Sequence, residues 1–284
     1  MAQQTPTIAG DYTFDPFARH QFYRDVNQSL VRAAIEALDA ARPVGATVRV
    51  VELASGTAAV TELILDELAR AGRPAEVVGV EPSFEALAVA RERLGGRAVR
   101  FEQGDVNELA RVTPEADAVF FCNAIHLVPD KREVIGKIAA IVAPHGFFAA
   151  NSAFFEGTYA PGSERFYHLW TRRAMGWLRH NHPDIRVSRE QKAAAMQWLT
   201  SEQYAALMEE AGLQLARADR EVALMPLRSW QDIGRYWLFI EGALPGVPIP
   251  VSADALEFAA AAAFEELNLV DVPRIWLQLV AQKA

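Results

Sequence analysis

The sequence of 284 residues predicts an α/β protein: a doubly wound, mostly parallel seven-stranded sheet with an antiparallel last strand. Insertions after strands five and six are read as a helical cap. Three observations carry this. Apolar runs alternate with helical patterns five times between residues 47 and 153. The runs are continuously apolar, as strands buried on both faces must be. The first run ends in a carboxylate and then in small residues, V-V-E-L-A-S-G-T-A-A at 50–59, where the next helix should begin.

The elements follow in order. Residues 1–17 are polar and irregular. From Arg19 to Leu38, Phe22, Val26, Leu30, Ile35 and Leu38 recur at roughly helical spacing. Thr47 to Leu53 is the first strand. Val60, Leu63, Ile64 and Leu68 mark a helix that Gly72 and Pro74 stop. Val77 to Glu81 is the second strand, and Ser83 caps a helix from Phe84 to Leu94. Val99 to Asp105 and Asp117 to Asn123 are strands three and four. Asp130 and Glu133, at capping-box spacing, open a helix running to about Val142, and Gly146 to Ala153 is strand five. The stretch 154–198 is helical and aromatic, with no convincing strand. Thr200 and Gln203 form a second capping box ahead of a helix from Ser201 to Ala211. Leu213 to Met225 contains a strand, Trp230 to Leu244 is helical, and PGVPIP reads as a loop. An alanine-rich helix from Asp254 to Leu267 and a last strand from Ile275 to Ala281 follow.

Composition narrows the partners. Hydrophobic residues make up 51% of the chain, yet no apolar run reaches the ~20 residues that span a bilayer. The N-terminus lacks the basic and apolar regions of a signal peptide, so a cytoplasmic protein without membrane association is expected. A single cysteine, Cys122, excludes an internal disulfide and a Cys-rich metal site, and no metal is expected. A net charge of −8 opposes nucleic acid, leaving a small-molecule partner. A monomer or homodimer is anticipated.

The turn after the first strand carries the chemistry. In doubly wound sheets, ligands bind beyond the carboxyl ends of the strands. Small residues there let backbone amides approach a ligand, and the next helix offers free N–H groups. A pyrophosphate site would favour G-x-G-x-x-G, and Glu52 would repel the phosphates. The expected ligand is therefore cationic nearby, or free of phosphate. Glu81 closes the second strand, where a carboxylate can accept both hydroxyls of an adenosine ribose, at roughly 1.5–3 kcal/mol per charge-assisted bond. Asp105 closes the third strand, where an adenine amine could be held.

At this point the chain resembles the class I S-adenosylmethionine-dependent methyltransferases. The resemblance rests on V-V-E-L-A-S-G-T-A at 50–58, V-G-V-E-P-S at 78–83, F-E-Q-G-D-V at 101–106 and D-A-V-F-F-C-N-A-I-H at 117–126. It extends over roughly residues 20–153, and the last strands continue it. It implies S-adenosyl-L-methionine as cofactor and a Rossmann-like fold. Glu52 then lies near the methionine part, Glu81 takes the ribose diol and Asp105 pairs with adenine. Ala54, Ser55, Gly56, Pro82, Val106 and Asn123 complete the cofactor site, and Tyr23, on an N-terminal helix beside Phe22 and Asn27, either folds over it or serves only in packing. Ala58 departs from the family's frequent third glycine, and an alanine there is expected to keep φ below zero. His126, at the rim after strand four, is the candidate base or substrate contact.

The domains read as an N-terminal helical lid (1–45), a cofactor-binding core (46–153), a cap insertion (154–198) and completion of the sheet (199–284), with a second insertion at about 226–268. Five of the six tryptophans lie in 154–198 and 226–250. His126, Phe155, Tyr159, Tyr167, Trp170 and Trp237 are the candidate substrate pocket, suited to a small hydrophobic or aromatic acceptor. Arg165, Arg172, Arg173, Arg179, Arg186 and Arg189 either bind an anionic group or form solvated helix faces. Two rivals remain. One is a cofactor-binding relative without methyl transfer, such as a non-redox cyclase or a binding subunit. The other is a nicotinamide-dependent oxidoreductase, against which the missing glycines argue.

Overall fold

The computed structural model describes residues 12–43, 45–188 and 197–284; Arg189 lies outside them. The first helices are α1 (Asp15–Ala18) and α2 (Gln21–Ala41). Val26, Leu30, Val31, Ala34, Ile35 and Leu38 form one buried stripe along α2. There follow β1 (Val48–Leu53), α3 (Ala59–Arg70), β2 (Ala75–Glu81), α4 (Phe84–Arg93), β3 (Val99–Gln103), α5 (Leu109–Val112), β4 (Ala116–Cys122), α6 (Lys131–Ile141) and β5 (Val142–Ser152). The chain continues through α7 (Glu164–Asn181), α8 (Ser201–Glu210), β6 (Leu213–Pro226), α9 (Leu227–Arg235), α10 (Trp237–Ala243), α11 (Ile249–Leu267) and β7 (Asp271–Lys283). Short 3-10 turns occupy Val106–Glu108 and Ile125–Leu127.

The sheet order is β3-β2-β1-β4-β5-β7-β6. β1 pairs in parallel with β2 and β4, β2 with β3, and β4 with β5, whereas β7 runs antiparallel to β5. Strand order reverses between β1 and β4, so their carboxyl ends open the crevice where such sheets take ligands. The predicted caps hold: Ala86 donates to Ser83 Oγ at 3.1 Å, and Thr200 and Gln203 form a reciprocal box.

Three elements begin four or five residues earlier than the sequence reading placed them, and β3 ends at Gln103, two residues short of Asp105. The helix α11 begins at Ile249, inside PGVPIP, because proline suits a first helical turn, whose N–H groups lack partners anyway. The strands β5 and β7 begin earlier, at Val142 and Asp271.

The described residues divide into two compact units. One comprises 24–156, 198–221 and 276–284 and contains β1 to β5, with the α2 stripe and Ile135, Ile138, Phe120 and Phe148 in its core. The other comprises those described up to 23 and in 157–197 and 222–275. Its core packs aromatic rings at steep angles: Phe166 lies 4.8 Å from Trp230, and Trp170 meets Trp230 edge to face at 5.2 Å. Each buried indole N–H is satisfied, Trp170 by Leu256 O and Trp230 by Met225 O. Ala253, Ala259, Ala260 and Ala263 are fully buried on α11, and side chains this small let α7 and α9 pack closely.

Candidate functional site

The loop 54–58 joins β1 to α3 through three left-handed residues. Ala54, Gly56 and Ala58 have φ of 53°, 54° and 67°. This corrects the expectation for Ala58. The reason is tertiary: Ser55 N donates to Val80 O at 3.1 Å and Ala58 N to Ser55 O at 2.9 Å. The loop must therefore turn back at once over the end of β2. For an L-residue the left-handed region costs roughly 1–2 kcal/mol, so two alanines store strain here. Ala58 is also the N-cap of α3 and offers no side-chain cap to its first N–H groups.

Glu81, the last residue of β2, is fixed from both sides. Gly56 N donates to its Oε2 and Ser83 N to its Oε1, each at 3.0 Å. A carboxylate has about four acceptor sites, so two remain for a diol. Burial raises its pKa, opposed by the Ser83 and Gly56 N–H groups. Glu52 lies on the adjacent strand, 2% exposed, and accepts from Thr61 Oγ1 at 2.5 Å. Burial pushes Glu52 up to about 8; the Thr61 hydrogen bond opposes this and the Glu81 charge adds to it. Burial, and then the Glu52 charge, also raise the Cys122 thiol, which suits a buried small hydrophobe.

Ser55 Oγ is buried with no hydrogen-bond partner among the described residues. It lies 3.0 Å from where a Cβ on Gly79 would stand, and the Phe101 ring would be 2.7 Å from that atom. Gly79 is thus the residue that lets the loop settle on the sheet.

The remaining strand ends carry polar groups of a different kind. Asp105 is exposed and caps the 3-10 turn after β3, accepting from Asn107 N at 2.7 Å, with Glu108 closing a capping box. Gly104 N donates to Glu81 O and Gln103 Nε2 to Pro82 O, so Asp105, Val106 and Pro82 adjoin the Glu81 end of β2. Asn123, after β4, is left-handed at φ 55°. Its backbone N–H meets Asn151 O and Oδ1, its Nδ2 donates to Asn27 Oδ1, and its Oδ1 accepts from Trp276 Nε1 at 2.8 Å. Asn151 Nδ2 donates to the same Asn27 oxygen.

His126 is 5% exposed, with Nδ1 3.0 Å from Ser152 Oγ and its ring stacked on Phe154 at 4.3 Å. Lys131, itself buried, donates to the carbonyls of His126 and Val128, and burial lowers its pKa.

One unit therefore gathers Glu52, Ala54, Ser55, Gly56, Glu81, Pro82, Asp105, Val106, Asn123 and His126. Phe155 also belongs to it, wholly buried. Tyr23, Tyr159, Tyr167, Trp170 and Trp237 belong to the other. There Tyr23 is buried against Phe14 and Phe17, and Trp170 lies in the aromatic core. Tyr159 is 42% exposed, with its ring tilted against that of Tyr167 at 4.3 Å; the Tyr167 hydroxyl accepts from Arg274. Thr61, Asn151, Ser152 and Trp276 are absent from the sequence-based site. Thr61 alone had a local signal, a polar residue on the buried stripe of a helix.

Comparison with known proteins gives a consistent picture. A family model described as a methyltransferase domain matches residues 50–146. Trans-aconitate 2-methyltransferase of Variovorax paradoxus is 36% identical over 127 residues, a match covering 45% of this chain and 46% of that protein. Among solved structures, one assigned as a sarcosine dimethylglycine methyltransferase, from Galdieria sulphuraria, superposes with a TM-score of 0.55 at 12% identity, covering 96% of this chain and 91% of the other. The [4+2]-cyclase SpnF superposes with a TM-score of 0.53 at 13% identity, covering 94% and 84%. At these identities the two structures share the fold.

Proposed function

We propose that this chain, whose residues 50–146 form a methyltransferase domain of the class I S-adenosylmethionine-dependent family, transfers methyl to a small acceptor; the aromatic-rich insertions favour a largely hydrophobic or aromatic one, and the relative's name offers a polar carboxylate as the alternative. The observation that carries the reading is the convergence of Glu52 and Glu81 on one left-handed loop at the point where strand order reverses. The loop's orphaned Ser55 hydroxyl and uncapped α3 N-terminus fit a polar ligand lying close to backbone.

When bound, S-adenosylmethionine supplies a methyl group already activated by its sulfonium. Glu81, held by Gly56 and Ser83, presents a pre-oriented carboxylate to the ribose. Glu52, buried beside it, would favour a positive charge nearby once it gives up its proton. Asp105 and Val106 bound the adenine end. Transfer of methyl from the sulfonium to the acceptor breaks the S–CH3 bond and leaves a neutral thioether, so the leaving group needs no acid, and alignment and exclusion of water dominate. His126, oriented by Ser152, is the group that would accept a proton from a weakly acidic acceptor.

Calorimetry with S-adenosylhomocysteine tests the donor site. Glu81→Ala should weaken binding at least tenfold, about 1.4 kcal/mol. Unchanged affinity removes the assignment. Trans-aconitate, the acceptor in the relative's name, is the first acceptor to assay, followed by aromatic and aliphatic hydroxyl compounds. A second reading is cofactor binding without methyl transfer, as in a non-redox cyclase or a binding subunit; the [4+2]-cyclase SpnF shares the fold. Cofactor affinity with no S-adenosylhomocysteine released across the acceptor panel would favour it. Tighter binding of a nicotinamide dinucleotide would favour an oxidoreductase.

A further inference from the structure

In a chain of net charge −8, α7 turns a basic face to solvent. Arg165, His168, Arg172, Arg173, Arg179 and His180 are all exposed, against one acid in the helix, Glu164. Arg172 and Arg173 share Glu266 as a partner. Among the described residues, no carboxylate lies within 4.0 Å of Arg179. A groove of about 450 Å³ runs beside this face, lined by Arg172, Gly176, Trp177, Arg179, His180 and, from α11, Phe258. That volume suits a small ligand. Its apolar walls are a half-buried indole and a phenyl ring that is 50% exposed.

Gly176 is the informative residue. It sits inside α7, where glycine is less favourable than alanine. Its φ is not in the left-handed region, and a Cβ built on it meets no atom within 4 Å. Neither backbone conformation nor internal packing calls for glycine there. The missing side chain leaves the groove open between the cations and the rings.

We propose that this groove binds a small organic anion, a carboxylate or phosphate ester carried on a flat apolar body. The guanidinium groups of Arg172 and Arg179 pair with the anion, and Trp177 and Phe258 take the apolar part. This site is independent of the methyl-transfer reading.

The test is calorimetric titration of the full chain at low salt with 1-naphthoate, 1-naphthyl phosphate and neutral 1-naphthalenemethanol. At least one anion should bind saturably, tenfold or more tighter than the alcohol, and the better anion identifies the acid group. Gly176→Leu, whose Cβ meets no atom within 4 Å and whose branched end would occupy groove space, should lower that affinity at least tenfold while the melting temperature holds or rises. Arg179→Gln should lower it at least fivefold and leave the alcohol unaffected. Equal binding of the alcohol, no anion binding, or full affinity in Gly176→Leu each overturns the proposal. So does binding to phosphatidylserine vesicles with neither naphthyl anion bound.

Discussion

Replacing Glu52 with glutamine tests the electrostatics of the crevice directly. Glutamine keeps the shape and can still bond Thr61, but it cannot ionise. In the folded protein the Glu52 carboxyl titrates near 8 rather than at its ordinary 4.5. Between those values the folded form holds a proton that the unfolded chain has lost. Stability from this group is therefore fully present below 4.5 and is lost as pH rises towards 8. Each pH unit inside the window is worth about 1.4 kcal/mol for one proton. From pH 5.5 to 7.5, the stability of Glu52→Gln relative to the parent should grow by roughly 2–3 kcal/mol. Urea unfolding at pH 5.5, 6.5 and 7.5, at constant ionic strength, measures the difference. Glu81 stays in both proteins, so its own titration largely cancels. A difference that is flat or shrinks with pH would refute the buried, proton-holding Glu52. The same argument predicts proton release when a sulfonium ligand binds at pH 7, visible as a buffer-dependent binding enthalpy.

Three further substitutions probe separate parts. Ala58→Gly should raise stability by about 1 kcal/mol by relieving the left-handed strain, read as a higher melting temperature; a lower one would show that the loop is not strained there. His126→Ala should lower methyl-transfer turnover with little change in S-adenosylhomocysteine affinity, and full activity would return His126 to a packing role. Trp276→Phe removes the donor to Asn123 Oδ1 and should cost about 1–3 kcal/mol in denaturant unfolding; a change within 0.5 kcal/mol, the roughly neutral range for surface sites, would make that bond dispensable.

How much of this was legible beforehand depends on the range of each interaction. The alternation of apolar runs and helices is local, and it specified the five parallel strands to within a few residues. The placement of Glu52 and Glu81 beside the loop was readable because a strand end followed by a small-residue turn is a local pattern. The conformation of Ala58 was not, because two hydrogen bonds involving Ser55 impose it, and one of those bonds reaches across to Val80. The PGVPIP segment was read as a loop because proline breaks helices, although proline also begins them well. The aromatic residues chosen for a substrate pocket look alike in sequence whether buried or exposed. Phe155 and Trp170 prove to be enclosed, while Tyr159 faces solvent. Neither the Asn27, Asn123 and Asn151 cluster nor Trp276 gave any local sign of pairing, since the partners lie 28 to 153 positions apart.

That asparagine cluster bears on how the protein is made. When β4 and β5 have left the ribosome, Asn123 and Asn151 can already meet Asn27, but the indole that completes the set is still 153 positions from Asn123. Synthesis at 5–20 residues per second leaves this polar knot incomplete for on the order of ten seconds. Over that interval the nascent sheet exposes the β5 edge that β7 later covers, which is the moment when a chaperone has most to protect.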